Sequence, residues 1–169
     1  MMKKIIIYLI KSTPAVMIYR ILHIAKIYSL QIISFAKVKY VFPRGENILM
    51  DYSVEIKYKE NVKVGKGVII GAMTTIGAHS PIVIGNHVRI SKGVSIETAS
   101  LDIRGELPYK HLSKPIVIGD GVWLGMNCMI LGGVTIGSNS VIGAGAVISK
   151  NIPPNSICIS SSNIIYAKG

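Results

Sequence analysis

Four histidines, His23, His79, His87 and His111, are the side chains of this sequence best suited to take a proton near neutral pH. Their settings differ. His79 stands in "GAHSPIVIG" and His111 in "KHLSKPIVIG", where a polar, charged stretch gives way to a strict six-residue rhythm. An imidazole at such a seam can act as general base toward a hydroxyl or an amine, and His111 is the first candidate with His79 the second. His87, in "IGNHVRI", alternates outward and reads as a solvated face residue. His23 sits in an apolar helical stretch and reads as non-catalytic. Cys128 and Cys158 fall in apolar patterns with no metal or redox spacing, so they read as reduced, buried thiols.

The elements that must position these groups follow from an internal repeat. Aliphatic residues recur at Met50, Ile56, Val64, Ile70, Ile76, Ile84, Ile90 and Ile96, and again at Ile118, Leu124, Ile130, Ile136, Ile142 and Ile148. A second apolar set stands two places earlier, for example Val54, Val68, Val88, Val122 and Cys128. Period two inside period six means short strands joined by tight turns, with the Gly or Asn after the inward residue suited to positive φ. Three hexads per coil build a parallel β-helix of triangular section, and fourteen inward positions make between four and five coils. The prism is then about 20 to 25 Å long.

Irregular steps place the histidines. The steps from Ile56 to Val64 and from Ile76 to Ile84 are eight residues, and the step from Ile96 to Ile118 is 22. Two ordinary steps separate each from the next, so all three fall on one corner. His79 lies in the second bulge and His111 in an arm leaving the prism over 97–117, which sets both on one edge about one coil apart. The domain reading is a basic, apolar helical segment over 1–45, the β-helix over 46–160 and a tail over 161–169.

The formal charge of +11, from 19 Lys+Arg against 8 Asp+Glu, favours anionic partners. No acidic residue precedes Glu46, while Lys3, Lys4, Lys11, Arg20, Lys26, Lys37, Lys39 and Arg44 alternate with aliphatic runs. The expected elements are a short leading segment and a helix over about 14–34 with Pro14 in its first turn. Charge interrupts the apolar runs before the roughly 18 to 20 residues of a spanning helix, and the run ending at Lys11 is too short for a signal peptide. Residues 1–44 are therefore read either as interfacial attachment to the cytoplasmic leaflet of an anionic membrane or as packing on the core or a partner. Nucleic acid is excluded as a partner, because the basic residues accompany aliphatic runs and not a stacking platform.

"VKVGKGVIIGAMTTIG", "PIVIGDGVWLG" and "ILGGVTIGSNSVIGAGAVISKNIPPNS" resemble the hexapeptide-repeat acyltransferases, over about residues 48–160. The resemblance implies a left-handed parallel β-helix, a homotrimer, and acetyl-CoA lying in a groove between subunits. It implies Trp123 against the pantetheine arm, Met126 and Ala144 as backbone contacts one coil apart, and Ser149 and Lys150 near the nucleotide end. Lys168 is a further phosphate contact. The implied activity is O-acetylation of a bacterial envelope saccharide or its lipid-linked precursor in the cytoplasm, with no metal. N-acetylation of an amino sugar nucleotide and a non-catalytic scaffold are the alternatives. A zinc hydro-lyase on the same prism needs about three His ligands, and the spacing of His79, His87 and His111 does not match one.

The maltose-type base after the strand before the arm is replaced by Ser100, Leu101 and Asp102. A second pattern of the family, with histidines in the bulge and just before re-entry, fits His79 and His111. Glu97, Asp102 and Glu106 are available to orient an imidazole. A backbone N–H near the arm, Asn86 or Asn127 is available to an oxyanion.

Overall fold

The structure is a computed structural model that describes residues 14–159 and 164–167. Its first element is helix α1 (Pro14–Val41). Coils follow in chain order: β1 (Leu49–Met50), β2 (Glu55–Lys57), β3 (Val62–Val64); then β4 (Ile69–Ile70), β5 (Thr75–Gly77), β6 (Ile82–Ile84). The third coil holds β7 (Arg89–Ile90) and β8 (Ser95–Glu97), the arm strands β9 (Ala99–Leu101) and β10 (His111–Ser113), and β11 (Ile116–Ile118). Next come β12 (Trp123–Leu124), β13 (Met129–Leu131), β14 (Thr135–Ile136), β15 (Val141–Ile142), β16 (Val147–Ile148), β17 (Ser156–Ile159) and β18 (Ile164–Ala167).

These strands stack into three parallel faces of a β-helix. The first face is β1-β4-β7-β12-β15-β17, with β18 added antiparallel; the second is β2-β5-β8-β13-β16; the third is β3-β6-β11-β14. Register puts Ile70 beside Ile90, Ile76 beside Ile96, and Ile84 beside Ile118, so each inward residue rests on the equivalent residue of the next coil. The inward positions expected from the sequence are buried, apart from Ile56 and Val64 at the open first coil, which are partly buried. Each fully buried Ile or Leu side chain contributes about 1.5–3 kcal/mol.

Ile152 bridges to Ile136, completing a fifth coil that the sequence reading stopped short of at Ile148. The step from Ile148 to Ile152 is only four residues, through Ser149, Lys150 and Asn151, so the six-residue count fails there. Helix α1 also runs seven residues beyond the expected end at 34, because Val38 and Phe42 are buried against the first coil. Lys37 Nζ fixes that docking by donating to the carbonyls of Tyr52 and Val54.

The role of the glycine after the inward residue also differs from expectation. Positive φ falls two places later, as at Gly121 (φ 67) and Asn139 (φ 59). The first glycine is needed for close approach: a Cβ on Gly125 would lie 2.6 Å from the Ala144 nitrogen of the next coil. At the edge between the third and first faces a side-chain ladder ties the coils together. Lys66 N–H donates to Asn86 Oδ1 (3.0 Å), Asn86 N–H to Asp120 Oδ1 (2.7 Å) and Asp120 N–H to Ser138 Oγ (3.2 Å). The Asn86 backbone and side-chain donors hold the Asp120 carboxyl below the usual carboxylate range.

Candidate active site at the edge between the second and third faces

The three irregular steps meet where the chain passes from the second face to the third. In the first coil, Tyr58 leaves β2 with φ 59 and ψ 53 and leads into a 3-10 turn, Lys59–Asn61. A left-handed conformation costs a residue with a side chain about 1–2 kcal/mol. Asn61 Nδ2 donates to the Ala78 carbonyl (2.9 Å), tying this turn to the bulge above it.

Thr98, fully buried, holds bulge and arm together. Its Oγ1 donates to Gly77 O (2.9 Å) and accepts from Ser80 N–H (3.1 Å), and its carbonyl accepts from Lys114 N–H (3.1 Å). The Ser80 and Ser113 hydroxyls meet at 2.6 Å. The arm is an antiparallel hairpin, β9 with β10, in register His111 to Leu101. Folded back this way, it returns His111 to the edge that carries His79.

Both histidines line one cavity of about 350 Å³ with Lys57, Tyr58, Gly77, Glu97 and Ala99. The Tyr58 and His79 rings are 5.0 Å apart at 56°. Glu97 Oε1 accepts from Ala99 N–H (2.9 Å), and its Oε2 occupies the space a side chain on Gly77 would fill, 2.0 Å from an added Cβ. The absence of a side chain at 77 therefore lets a carboxylate lie in the histidine cavity. Two bases and a carboxylate in a half-open cleft can accept a proton and stabilise the imidazolium that results.

Other expected residues lie elsewhere on the prism. Trp123 is on the first face, 52% exposed, its Nε1 donating to Ser91 Oγ (3.1 Å), and it borders a second cavity of about 500 Å³ with Ile69, Arg89 and Ser91. Met126 and Ala144 are exposed on the edge between the first and second faces, stacked one coil apart, with Gly145 N–H donating to Met126 O (2.8 Å). Ser149 and Lys150 are exposed just past β16, on the same edge as the histidines. The fold thus joins His79 with His111 and Met126 with Ala144, but the second face separates Trp123 from the histidines within one chain. Lys168 lies outside the described residues.

Asn86 is engaged in the ladder and Asn127 is a left-handed turn residue, and neither lines the histidine cavity. Asp102 accepts from Arg104 N–H (3.3 Å) in the arm, and neither it nor Glu106 lines the cavity. His87 is an exposed turn residue with φ 56, and His23 stacks on Tyr19 along α1. Among the described residues no three His, Cys, Asp or Glu side chains come together to hold a metal. Cys128 and Cys158 are buried, and burial pushes the Cys128 thiol up to about 12.

Sequence reasoning gave Glu97 little weight and missed Tyr58, Gly77 and Thr98. The signal was present: Lys57, Gly77 and Glu97 are 20 residues apart and pair directly across β2, β5 and β8.

Residues 115–150 match the family described as bacterial transferase hexapeptide (six repeats), and residues 61–97 match the hexapeptide repeat of succinyl-transferase. The chain is 36% identical over 115 residues to galactoside O-acetyltransferase of Escherichia coli (strain K12), covering 67% of this chain and 57% of that protein. The chain thus spans somewhat over half the length of that relative. A hexapeptide-repeat acetyltransferase of Vibrio cholerae, solved in complex with acetyl coenzyme A, superposes with TM-score 0.72 at 27% identity, over 83% of this chain and 87% of that one. A maltose O-acetyltransferase of Clostridium difficile 630 superposes with TM-score 0.68 at 31% identity, over 73% of this chain and 67% of that one.

Proposed function

The chain belongs to the hexapeptide-repeat transferases, and from that membership we propose that it is an acetyl-CoA-dependent O-acetyltransferase acting on a saccharide hydroxyl. The observation that carries the reading is the pairing of His79 and His111 with Glu97 in one cleft. His111 takes the proton of the acceptor hydroxyl as its oxygen attacks the thioester carbonyl, and His79 orients the acceptor. Collapse of the tetrahedral species releases the thiolate, which takes the proton back from the imidazolium.

Acetyl-CoA lies in a groove between neighbouring chains of a homotrimer. One chain contributes the histidine edge, the next contributes Trp123 to the pantetheine with Met126 and Ala144 as backbone contacts, and Ser149 and Lys150 meet the nucleotide phosphates. This arrangement accounts for Trp123 and the histidines lying on different faces. The acceptor is an envelope saccharide or its lipid-linked precursor at the inner face of the plasma membrane. Helix α1 supports that location. Val16–Val41 is long and apolar enough by length and composition to cross a bilayer, going beyond the interfacial segment expected from the sequence, and its exposed residues include Ile18, Leu22, Ile32 and Phe35 alongside Lys26 and Lys39. Co-sedimentation with anionic but not zwitterionic vesicles is expected, and failure with both refutes the membrane assignment.

Calorimetric titration with acetyl-CoA tests the enzyme reading without a choice of acceptor. Saturable binding, weakened at least tenfold by Trp123→Ala, is expected. No binding at millimolar ligand refutes it, and a monomer in sedimentation refutes the shared groove.

A further inference from the structure

Tyr58 is a bulky residue in a backbone conformation that suits glycine or asparagine. Among the described residues, it is the only non-glycine with positive φ on the edge that holds the histidines; the other positive-φ residue there is a glycine, Gly133 (φ 90). Most left-handed positions on the regular turns are filled by Gly or Asn. The turn at 58 would therefore form more easily without a tyrosine. The ring is not kept for the core either, since it is 49% exposed. It forms one wall of the histidine cavity and faces the His79 imidazole at 5.0 Å. Backbone strain held at a cavity wall, in exchange for an exposed aromatic ring beside a candidate base, is the pattern of a binding residue.

We propose that Tyr58 is the acceptor platform, a flat apolar surface on which one C–H face of a pyranose ring packs so that a ring hydroxyl points at the histidines. The chemistry fits a sugar. A pyranose carries hydroxyls around its rim and C–H groups on its faces, and the cavity offers one aromatic face with Lys57 and Glu97 as polar groups beside it. Tyr58 is then the residue that selects cyclic polyols over small open-chain hydroxyl compounds. The inference rests on the saccharide acetyltransferase reading given above.

The test compares the full-length wild type, Tyr58→Gly and Tyr58→Phe, with methyl β-D-galactopyranoside and methyl β-D-glucopyranoside as acceptors at saturating acetyl-CoA. Glycine removes the ring and relieves the left-handed backbone; phenylalanine keeps the ring. Tyr58→Gly is expected to raise the acceptor KM tenfold or more, with kcat within threefold of wild type, an undiminished melting temperature and unaltered acetyl-CoA affinity. Tyr58→Phe is expected to bring KM back to within threefold of wild type. Saturation-transfer NMR on the wild type should mark the C–H protons of one pyranose face, and Tyr58→Gly should abolish that pattern.

An acceptor KM for Tyr58→Gly within twofold of wild type overturns the proposal, as does a fall in kcat at unchanged KM, which would assign the ring to orienting His79. A lower melting temperature together with lost acetyl-CoA binding overturns it as well, in favour of a structural role. A wild type that binds acetyl-CoA but neither acetylates a pyranoside nor receives saturation transfer overturns both this inference and the saccharide reading. Turnover by wild type with Tyr58→Gly unchanged overturns this inference alone.

Discussion

Gly77→Ala isolates the contribution of the Glu97 carboxylate without touching an ionisable group. An added Cβ would lie 2.0 Å from Glu97 Oε2 and 2.6 Å from its carboxyl carbon. Comfortable non-bonded separations are about 3.5–4.0 Å, so the carboxylate must retreat by roughly 1.5 Å. Gly77 has ordinary strand backbone, and the colliding atoms are the end of a flexible side chain, so β5 itself can stay in place. The hydrogen bond from Ala99 N–H to Glu97 Oε1 is lost. A bond to a charged group contributes about 1.5–3 kcal/mol, and the half-buried carboxylate regains water as it moves, so the loss of folding stability should be about 1 kcal/mol.

Activity should respond more strongly than stability, because a displacement of about 1 Å in a catalytic constellation costs up to about 100-fold. Acetylation of a galactoside, followed by thiol release, should show kcat/KM reduced between about 10-fold and 100-fold, with acetyl-CoA affinity retained. If displacement of the carboxylate is the cause, Gly77→Ala adds nothing in a Glu97→Ala background. Full additivity, or wild-type activity in both single variants, refutes the role given to Glu97. Destabilisation by more than about 3 kcal/mol, beyond a single lost hydrogen bond, refutes the claim that the carboxylate yields and the strand does not.

Two further outcomes concern the scaffold. Gly125→Ala brings a methyl group 2.6 Å from the backbone nitrogen of Ala144 and the backbone oxygen of Ile142, neither of which can give way, so urea unfolding should show a loss of about 2–4 kcal/mol. Gly145→Ala meets nothing within 4 Å and pays only for φ +69, a cost of about 1 kcal/mol; equal effects of the two would refute the close-approach argument. Stability should also fall above pH 9. The Cys128 thiol is raised by burial from 9.0 to about 12, so between these values the unfolded chain releases a proton that the folded chain keeps, and the stabilisation present below pH 9 is lost as pH rises. Between pH 8 and 10.5 the wild type should lose about 1–2 kcal/mol more than Cys128→Ala; identical pH slopes would refute the assignment.

The prism was legible because burial is written into the period. Ile70, Ile76, Ile84 and their successors must face inward, and that single requirement fixes strands, turns and coil stacking at once. The eight-residue steps likewise revealed which edge carries the insertions. The fifth coil escaped because the four-residue step through Ser149, Lys150 and Asn151 still brings Ile152 beside Ile136, so this corner closes without keeping the period of six. The function of the recurring glycine was misread for a related reason: a sequence shows that no side chain is present, but the neighbouring coil that forbids one is about 20 residues away.

The candidate site divides along the same line. By itself the sequence determined that His79 and His111 share an edge, because inward periodicity counts corners and an insertion must leave at one of them. Only the tertiary structure decided what surrounds them. The arm folds back as a hairpin clamped by Thr98, Glu97 tucks over Gly77, and Tyr58 turns its ring to His79 from the coil below. The physical reason is that hydrophobic alternation encodes only inside and outside. Contacts among outward side chains depend on hydrogen bonds and steric vacancies between coils, and those exist only once the coils are stacked.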